Sequence, residues 1–287
     1  SLVSRRPRAA GEAQVNREST PPVFWNERSL DAVEFAEFLD GRVALFTHRS
    51  PGKETPNEDA LALIPFLPGE GVLAVADGVG GAPAGENGSR IVLDELARSL
   101  AYAATHEGSM RSAILDGIED GNRKLLDGDS GSMSTLSLVS IRGRRIRPYH
   151  VGDSMILVTG QRGKLKHQTV PHSPTGYAVE AGVLDEWDAL VHEDRHLIDN
   201  CLGMEGMRIE IGPPLELSDR DTVLIASDGL GDNFHTDELV QAVRKGSLEA
   251  SAQELATECL RRMTDPREDE PSKLDDLTFA MFRLQPD

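Results

Sequence analysis

Short apolar runs and longer amphipathic stretches alternate along this chain of 287 residues. Apolar runs of about four to eight residues between turn residues predict buried strands, whereas apolar residues at every third or fourth position predict helices. The runs of the first kind predict strands at residues 43–47, 59–64, 72–76, 135–141, 146–151, 155–159, 222–226 and 277–284, and we also expect strands at 165–168 and 208–211. Short turns join the runs between 135 and 168, so these are expected to form an antiparallel meander.

The amphipathic stretches predict helices in the middle of the chain and near its end. Apolar residues at helical spacing predict a helix that begins near residue 86 and a second that follows residues 108–109. We expect these two helices to pack as an antiparallel pair. Toward the end of the chain, the same spacing predicts helices at residues 236–243 and 252–263. Meanders of strands with helices before and after them predict stacked antiparallel sheets with the helices outside.

The first 40 residues differ from the rest in pattern. Residues 1–22 are polar and without periodicity, so they are expected to be flexible. Ser29 stands where it could cap a short helix over 30–39. We therefore expect two parts, a partly flexible N-terminal extension at 1–40 and one domain at 41–287.

Acidic residues stand at the ends of several predicted strands. Asp77 follows the apolar run 72–76 directly and precedes glycines, which let the backbone bend sharply and approach a ligand. A single carboxylate of this kind is equally well explained as a cap of the next helix. The pattern recurs, however, at Glu58-Asp59, Asp153, Asp228 and Asp275-Asp276. Because magnesium, manganese and calcium ions prefer several oxygen ligands, the clusters predict a carboxylate-lined metal centre at one end of the sheets.

The acidic clusters lie in short motifs whose order resembles that of a known family. The motifs are Asn57-Glu58-Asp59-Ala60, Ala76-Asp77-Gly78-Val79-Gly80-Gly81, Gly131-Ser132-Met133-Ser134-Thr135-Leu136, Val151-Gly152-Asp153-Ser154, Ala226-Ser227-Asp228-Gly229-Leu230 and Asp275-Asp276-Leu277-Thr278. This order is typical of the metal-dependent serine/threonine protein phosphatases, the PPM or type 2C family, and the chain resembles its bacterial members. The resemblance extends over about residues 43–284.

The resemblance implies an α+β fold, a four-layer α/β/β/α sandwich of two antiparallel sheets flanked by helices. It also implies two or three divalent cations, manganese or magnesium, and attack on the phosphoryl group by a water that bridges two of them. The metal ligands implied in this way are Glu58, Asp59, Asp77, Gly78, Asp153, Asp228 and Asp275. Within this set the resemblance implies a catalytic core of Asp77, Asp228 and Asp275, with Asp77 as the bridge and Asp153 beside a third cation.

Three positions depart from the family's common pattern. Many members have a histidine, thought to act as an acid, where this chain has Val79. Many also have an arginine shortly before the acidic pair that binds the substrate phosphate, and this chain has none at that place. Lys53 and Arg49 are the cations of that loop, and either could bind phosphate, Lys53 as a point charge and Arg49 as a fork. Asp276 stands where the family often has asparagine, a change expected to be tolerated.

Composition narrows the class of protein further. The formal net charge of −18 argues against nucleic acid as a partner, because phosphate backbones bind basic surfaces. No run approaches the ~20 apolar residues that cross a bilayer, so a cytoplasmic protein without membrane contact is expected. Cys201 and Cys259 stand far apart and are expected to be buried thiols. We further expect a monomer.

The main hypothesis is a metal-dependent phosphatase that hydrolyses phosphoserine and phosphothreonine in proteins and opposes a serine/threonine kinase in signalling. The alternative is a pseudo-phosphatase that keeps the fold, has little catalysis, and binds or regulates a partner. The complete set of carboxylates disfavours this alternative, because clustered anions are destabilising unless a cation compensates them. A metal-dependent nuclease is disfavoured by the acidic balance of the chain.

Overall fold

The computed structural model describes residues 20–79 and 85–285. Within these ranges the strands are β1 (Val23–Asn26), β2 (Glu34–Phe38), β3 (Gly41–His48), β4 (Asp59–Leu67), β5 (Glu70–Asp77), β6 (Leu136–Arg142), β7 (Arg145–Val151), β8 (Met155–Thr159), β9 (Leu165–Gln168), β10 (Glu210–Ile211), β11 (Leu215–Glu216), β12 (Thr222–Ala226) and β13 (Leu277–Leu284). The helices are α1 (Gly85–Thr105), α2 (Met110–Leu126), α3 (Pro174–Glu180), α4 (Glu186–Leu190), α5 (Asp228–Gly231), α6 (Thr236–Val243) and α7 (Leu248–Thr264). The predicted flexible tail up to residue 19 and the glycines at 80 and 81 lie outside the described residues.

The strands form two antiparallel sheets that pack face to face. Sheet one has the order β1-β4-β5-β6-β7-β10, with β11 also paired to β7, and sheet two has the order β2-β3-β13-β12-β8-β9. The antiparallel pair α1 and α2 packs on the outer face of sheet one, while α6 and α7 pack with sheet two. The predicted four-layer α/β/β/α sandwich is therefore confirmed.

Strand β5 explains why its sequence is a continuous apolar run. Val72 and Ala74 belong to the core shared with α1 and α2, whereas Leu73 and Val75 belong to the core between the two sheets. A strand covered on both faces buries every side chain, so the usual alternation of polar and apolar residues disappears. All four of these side chains are fully buried.

The chain crosses from sheet one to sheet two between β7 and β8, so the predicted meander over 135–168 is wrong in this part. Strand β6 pairs with β7, but β8 pairs with β12 and β9 in the other sheet. Gly152 makes the crossing possible, because its φ of +102° is strained for residues with a side chain. A Cβ atom there would also lie 2.7 Å from Cγ2 of Thr135. The crossing places Asp153 at the end of the seam between the sheets.

The predicted helix over 30–39 is also wrong, because this segment contains strand β2, paired with β3. Its burial alternates along the strand and ends at buried Phe38, which fits the twofold period of a sheet edge. Ser29 accepts a hydrogen bond from the backbone N–H of Arg49 at 3.2 Å instead of capping a helix. Strand β1 pairs with β4 at the edge of sheet one, so residues 20–40 contribute a strand to each sheet.

The helices of the described residues can be compared with the length and apolarity of a membrane-spanning segment. The longest helix in the described part of the chain is α1, with 21 residues. Neither this helix nor any other in that part combines the length and apolarity that a membrane-spanning segment needs. Cys201 and Cys259 are buried and free, as the sequence predicted.

A buried arginine near the end of α7 joins the last two helices to the loops beneath them. The guanidinium carbon of Arg262 lies 4.2 Å from the ring centroid of Phe234. Its nitrogens pair with Glu238 at 2.7 Å and with Glu258 at 3.1 Å, and one donates to the carbonyl of Asn233 at 2.8 Å. Because Asn233 in turn holds the loop before β13, Arg262 supports the edge of the acidic region.

We expect Arg262→Met to lower the free energy of unfolding by about 2 kcal/mol, because it leaves Glu238 and the Asn233 carbonyl without their buried donor. Arg267→Met is the matched control, since Arg267 is exposed and its pair with Glu270 spans 3.8 Å. That change is expected to lower the free energy by less than about 0.5 kcal/mol. Urea denaturation of both variants measures the difference, and equal effects would contradict a structural role for the Arg262 contacts.

Candidate metal centre

Sheet one brings two of the predicted carboxylates together through strand register. Asp59 at the start of β4 and Asp77 at the end of β5 are direct Cα partners across the antiparallel pair. The next residue, Gly78, donates its N–H to the carbonyl of Glu58 at 3.1 Å. A Cβ atom at Gly78 would lie 2.1 Å from the carbonyl oxygen of Gly85, so only glycine fits at this position. The sharp turn after β5 therefore keeps its backbone close to the carboxylates.

Sheet two supplies further carboxylates to the same end of the sandwich. Asp228 follows β12 and Asp275 precedes β13, and these strands are antiparallel neighbours, so the two residues lie at one edge. A Cβ atom at Gly229 would lie 1.9 Å from the carbonyl oxygen of Asp276, which shows how closely the two loops approach. Ser227 joins the sheets, because its hydroxyl donates to Oδ2 of Asp59 at 2.7 Å.

The carboxylates are close enough to change each other's protonation. Burial raises the pKa of Asp77 well above its usual value, and the charges of Asp59, Asp228, Asp275 and Asp153 raise it further. Burial, followed by the charge of Asp228, likewise raises the pKa of Asp275 to about 7. The five residues from both sheets and the crossing therefore form one electrostatic cluster. Such a cluster is stable in its charged form only when cations compensate it.

The buried carboxylate oxygens give a direct test of whether a metal ion fits. Oδ1 of Asp59 and Oδ1 of Asp153 are both buried, and neither has a hydrogen-bond partner among the described residues. Buried polar atoms are normally paired, so unpaired carboxylate oxygens in a cluster of this kind are suited to a ligand with positive charge. The donors are all oxygen, which favours hard ions such as magnesium and manganese. The residues present thus fit a divalent metal centre.

Asp232 extends the cluster beyond the residues that the sequence motifs identified. It lies one helical turn after Asp228, at the end of α5, so both side chains lie on the same side. Burial and then the charge of Asp228 raise the pKa of Asp232 to about 6. The pKa of Asp153 is also raised well above its usual value, by burial and then by Asp228 and Asp232. The sequence signal that could have identified Asp232 is its spacing of four residues from Asp228.

A lysine that sequence reasoning missed enters the cluster from the loop before β13. The ammonium of Lys273 lies 2.7 Å from Asp228, 2.6 Å from Asp232 and 3.0 Å from Asp275. Although burial alone would raise the pKa of Asp228, Lys273 holds that pKa below its usual value. The sequence signal for this contact was the two-residue spacing between Lys273 and Asp275. Alternate residues of an extended segment point the same way, so these two side chains are expected on one side of the chain.

A second lysine and Asp276 organise the loop on the other side of the centre. Asp276 accepts hydrogen bonds from the backbone N–H groups of Ser50 at 2.7 Å and Glu58 at 2.8 Å. The ammonium of Lys53 lies 2.6 Å from Asp276 and 2.7 Å from Glu58. Three donors therefore share the two oxygens of Asp276. An asparagine would present an N–H group to one of them, so the aspartate suits this loop.

The two candidate phosphate-binding cations lie in different surroundings. Lys53 is partly buried beside Glu58, at the rim of the carboxylate cluster. Arg49 is exposed, and its guanidinium donates to the carbonyl of Glu54 in its own loop at 3.4 Å. Of the predicted residues, Asp59, Asp77, Gly78, Asp153, Asp228 and Asp275 lie together at the seam, while Glu58 and Lys53 lie at its rim.

A group of His150, His172 and Glu210 offers ligand atoms within 4.8 Å of one another, but its hydrogen bonds favour a structural role. Nδ1 of His172 accepts from the N–H of Gly152 at 3.0 Å and from the amide of Asn200 at 2.8 Å. The proton of a neutral His172 is therefore on Nε2, which faces Glu210 at 3.2 Å. This arrangement holds the turn at Gly152, next to Asp153.

A cavity of about 380 Å³ opens beside the cluster. Asp153, Asp228 and Asp232 line one side of it. Residues of α3 and α4 line the other side, in the irregular region between β9 and β10.

The chain is similar in sequence and in fold to known protein phosphatases. The family model described as protein phosphatase 2C matches residues 48–265. A putative protein phosphatase 2C-type of Streptococcus pyogenes is 28% identical over 211 residues, which cover 71% of this chain and 85% of that protein. The crystal structure of the Mycobacterium tuberculosis serine/threonine phosphatase PstP/Ppp is 25% identical, with a TM-score of 0.70, over 86% of this chain and 99% of that one. The catalytic domain of PstP with two manganese ions has a TM-score of 0.67 at 24% identity, over 86% of this chain and 99% of that domain.

Proposed function

Because the chain belongs to the protein phosphatase 2C family, we propose that it hydrolyses phosphoserine and phosphothreonine side chains of proteins. The observation that carries the proposal is the convergence of five carboxylates from both sheets, two of them with buried unpaired oxygens. A cluster of this charge is suited to divalent cations and, through them, to a phosphate group. The serine/threonine phosphatases among the similar proteins support the same reaction.

The fit of the site to metal ions supports a specific set of ligands. The residues that would hold the cations are Asp77, Gly78 through its carbonyl, Asp228, Asp275, Glu58, Asp59 and Asp153. Manganese or magnesium ions bound there supply the Lewis acidity that activates a water and offsets charge on the phosphoryl oxygens. The structure with two manganese ions among the similar proteins supports this choice of cation.

The chain's own residues act by holding this cluster rigid. The hydroxyl of Ser227 orients Asp59 across the seam, and the Gly78 and Gly229 turns leave no space between the loops. Rigid ligands keep the reacting groups in one geometry, which contributes to the rate without any motion of the protein. We propose that Lys53, at the rim beside Glu58, binds the substrate phosphate, with exposed Arg49 as the weaker candidate.

The state of the two cysteines supports hydrolysis without a covalent intermediate. Burial and then the charge of Asp153 raise the pKa of Cys201 to about 11, and burial also raises the pKa of Cys259. Neither thiol is therefore a thiolate at neutral pH, and only the thiolate is a good nucleophile. The cysteines are therefore unsuited as nucleophiles, which agrees with the proposed attack by water.

The biological setting proposed from this chemistry has three parts. A phosphatase for phosphoserine and phosphothreonine opposes the serine/threonine kinase that makes them, so we propose such a kinase as its functional counterpart in signalling. We further propose that the protein acts as a monomer in the cytoplasm. A pseudo-phosphatase would keep the fold without turnover, and the kinetic experiments below distinguish the two.

Asp77→Asn tests the proposed reaction most directly. We expect hydrolysis of a phosphothreonine peptide with manganese to fall at least about a hundredfold, because the central ligand of the cluster loses its charge. The fold is expected to survive, since burial raises the pKa of Asp77 and its ionised form destabilises the metal-free protein. The melting temperature without metal should therefore be unchanged or higher.

Asp120→Asn is the control for that experiment, because Asp120 pairs with exposed Arg123 on α2, on the outer face of sheet one. It removes the same charge and should leave turnover at the wild-type level. Near-normal turnover by Asp77→Asn would contradict the proposed centre. No turnover by the wild-type protein with any divalent ion would favour the pseudo-phosphatase.

Lys53→Ala is expected to raise KM about fivefold and to change kcat less, because it removes a partly exposed charge that binds the phosphate before and during reaction. Arg49→Ala should change KM less than Lys53→Ala, since Arg49 is directed along its own loop. Steady-state kinetics on an aryl phosphate and on a phosphothreonine peptide measure both parameters. An unchanged KM in both variants would mean that this loop has no part in phosphate binding.

A further inference from the structure

We propose that the ammonium of Lys273 is a built-in cation of the centre that competes with a divalent cation for Asp228, Asp232 and Asp275. The inference rests on the proposed function, because it concerns the affinity of the same centre for its metal ions. It assigns Lys273 the role of setting how tightly the outermost cation binds. The outermost cation is here the one held by Asp228 with Asp153 or Asp232.

The ammonium of Lys273 contacts three carboxylates. Its Nζ lies 2.7 Å from Oδ2 of Asp228, 2.6 Å from Oδ2 of Asp232 and 3.0 Å from Oδ2 of Asp275. Its side chain is 20% exposed, so these are ion pairs largely withdrawn from water. Two of the three partners, Asp228 and Asp275, are proposed metal ligands. The ammonium and a divalent cation therefore compete for the same carboxylate groups.

The backbone around Lys273 is fixed, so the ammonium is directed into the centre by the fold. The N–H of Lys273 donates to Oδ1 of Asn233 at 3.0 Å, and Nδ2 of Asn233 donates to the carbonyl of Lys273 at 3.0 Å. The same Nδ2 donates to the carbonyl of Gly229 at 2.8 Å. Asn233 thus ties the lysine to the turn that carries Asp228 and Asp232. The hydroxyl of Ser272 adds a bond to the carbonyl of Arg262 at 2.8 Å.

Because of its position, the ammonium hinders cation binding more strongly on one side of the centre than on the other. Its ion pairs are with the carboxylates of sheet two and α5, while Asp59 and Asp77 on sheet one pair in register on the other side of the seam. A cation held by Asp77 and Asp59 on sheet one is therefore hindered less than one held by Asp228 with Asp153 or Asp232. Like charges separated by a few ångströms in a partly dry site repel strongly. We expect the outermost cation to bind most weakly for this reason.

The same charge also stabilises the centre before metal ions bind. Three carboxylates around one ammonium offset part of the repulsion that the cluster would otherwise suffer. Removal of Lys273 should therefore have opposite effects on two quantities. The metal-free protein should become less stable, and the weakest-bound cation should bind more tightly. A side chain with only a packing role would not produce this pair of opposite effects.

The test compares manganese binding by the wild-type protein, Lys273→Met and Lys166→Met. Methionine keeps much of the length of lysine and removes its charge. Lys166 is the matched control, because its ammonium also pairs with a buried carboxylate, that of Asp221, in a different part of sheet two. Calorimetric titration gives the affinities, and melting temperatures with and without manganese give the coupling to stability.

For Lys273→Met we expect the weakest manganese site to tighten by about tenfold or more, and the metal-free melting temperature to fall. Saturating manganese should remove most of that difference in melting temperature, since the ion then supplies the missing charge. Lys166→Met should leave the manganese affinities at their wild-type values. Lys273→Arg should keep the outermost cation weak, because the charge is retained.

A second measurement covers the case in which metal-free Lys273→Met does not fold. The variant is then purified in manganese and dialysed to a series of lower concentrations, and free manganese is counted by electron paramagnetic resonance. Unchanged or weaker binding than wild type in either measurement would overturn the inference while leaving the proposed function intact. Failure of the wild-type protein to bind manganese at all would overturn both.

Discussion

The mutual repulsion of carboxylates at one end of the seam is the constraint on which the rest of the structure depends. Asp59 and Asp77 are fixed opposite each other by the register of β4 and β5, and Asp228 and Asp275 are fixed by β12 and β13. The first pair cannot separate without breaking strand pairing, and the second pair lies on segments that continue directly from the paired strands. The two sheets therefore hold together acidic side chains that would otherwise move apart, and we propose that this repulsion gives the centre its affinity for cations.

The protein balances that charge with lysines at the two sides of the cluster. Lys273 forms ion pairs with Asp228, Asp232 and Asp275, while Lys53 forms ion pairs with Glu58 and Asp276. In the proposed centre, metal ions compensate the middle of the cluster, around Asp59 and Asp77. The lysines therefore offset charge at the edges of the cluster before any ion binds, and in the proposed centre the metal ions offset the charge in its middle.

The apolar pattern was sufficient to predict most strands, because buried strands such as β5 and β12 are continuous apolar runs. The pattern failed where tertiary contacts decide the outcome. Residues 30–39 have helical spacing but form an edge strand on β3, and β8 leaves sheet one because Gly152 turns the chain. The motif carboxylates were found because each follows or precedes a strand. Lys273 was missed because its role depends on the clamp by Asn233, which the sequence does not reveal.

The central claim is that the carboxylate cluster between the sheets is the metal centre. Anomalous diffraction at the manganese absorption edge, from crystals grown with manganese, tests it most directly. At least two strong peaks are expected at the end of the seam, one of them between Asp77 and the carboxylates of sheet two. Peaks confined to the group of His150, His172 and Glu210, or none near Asp77, would contradict it.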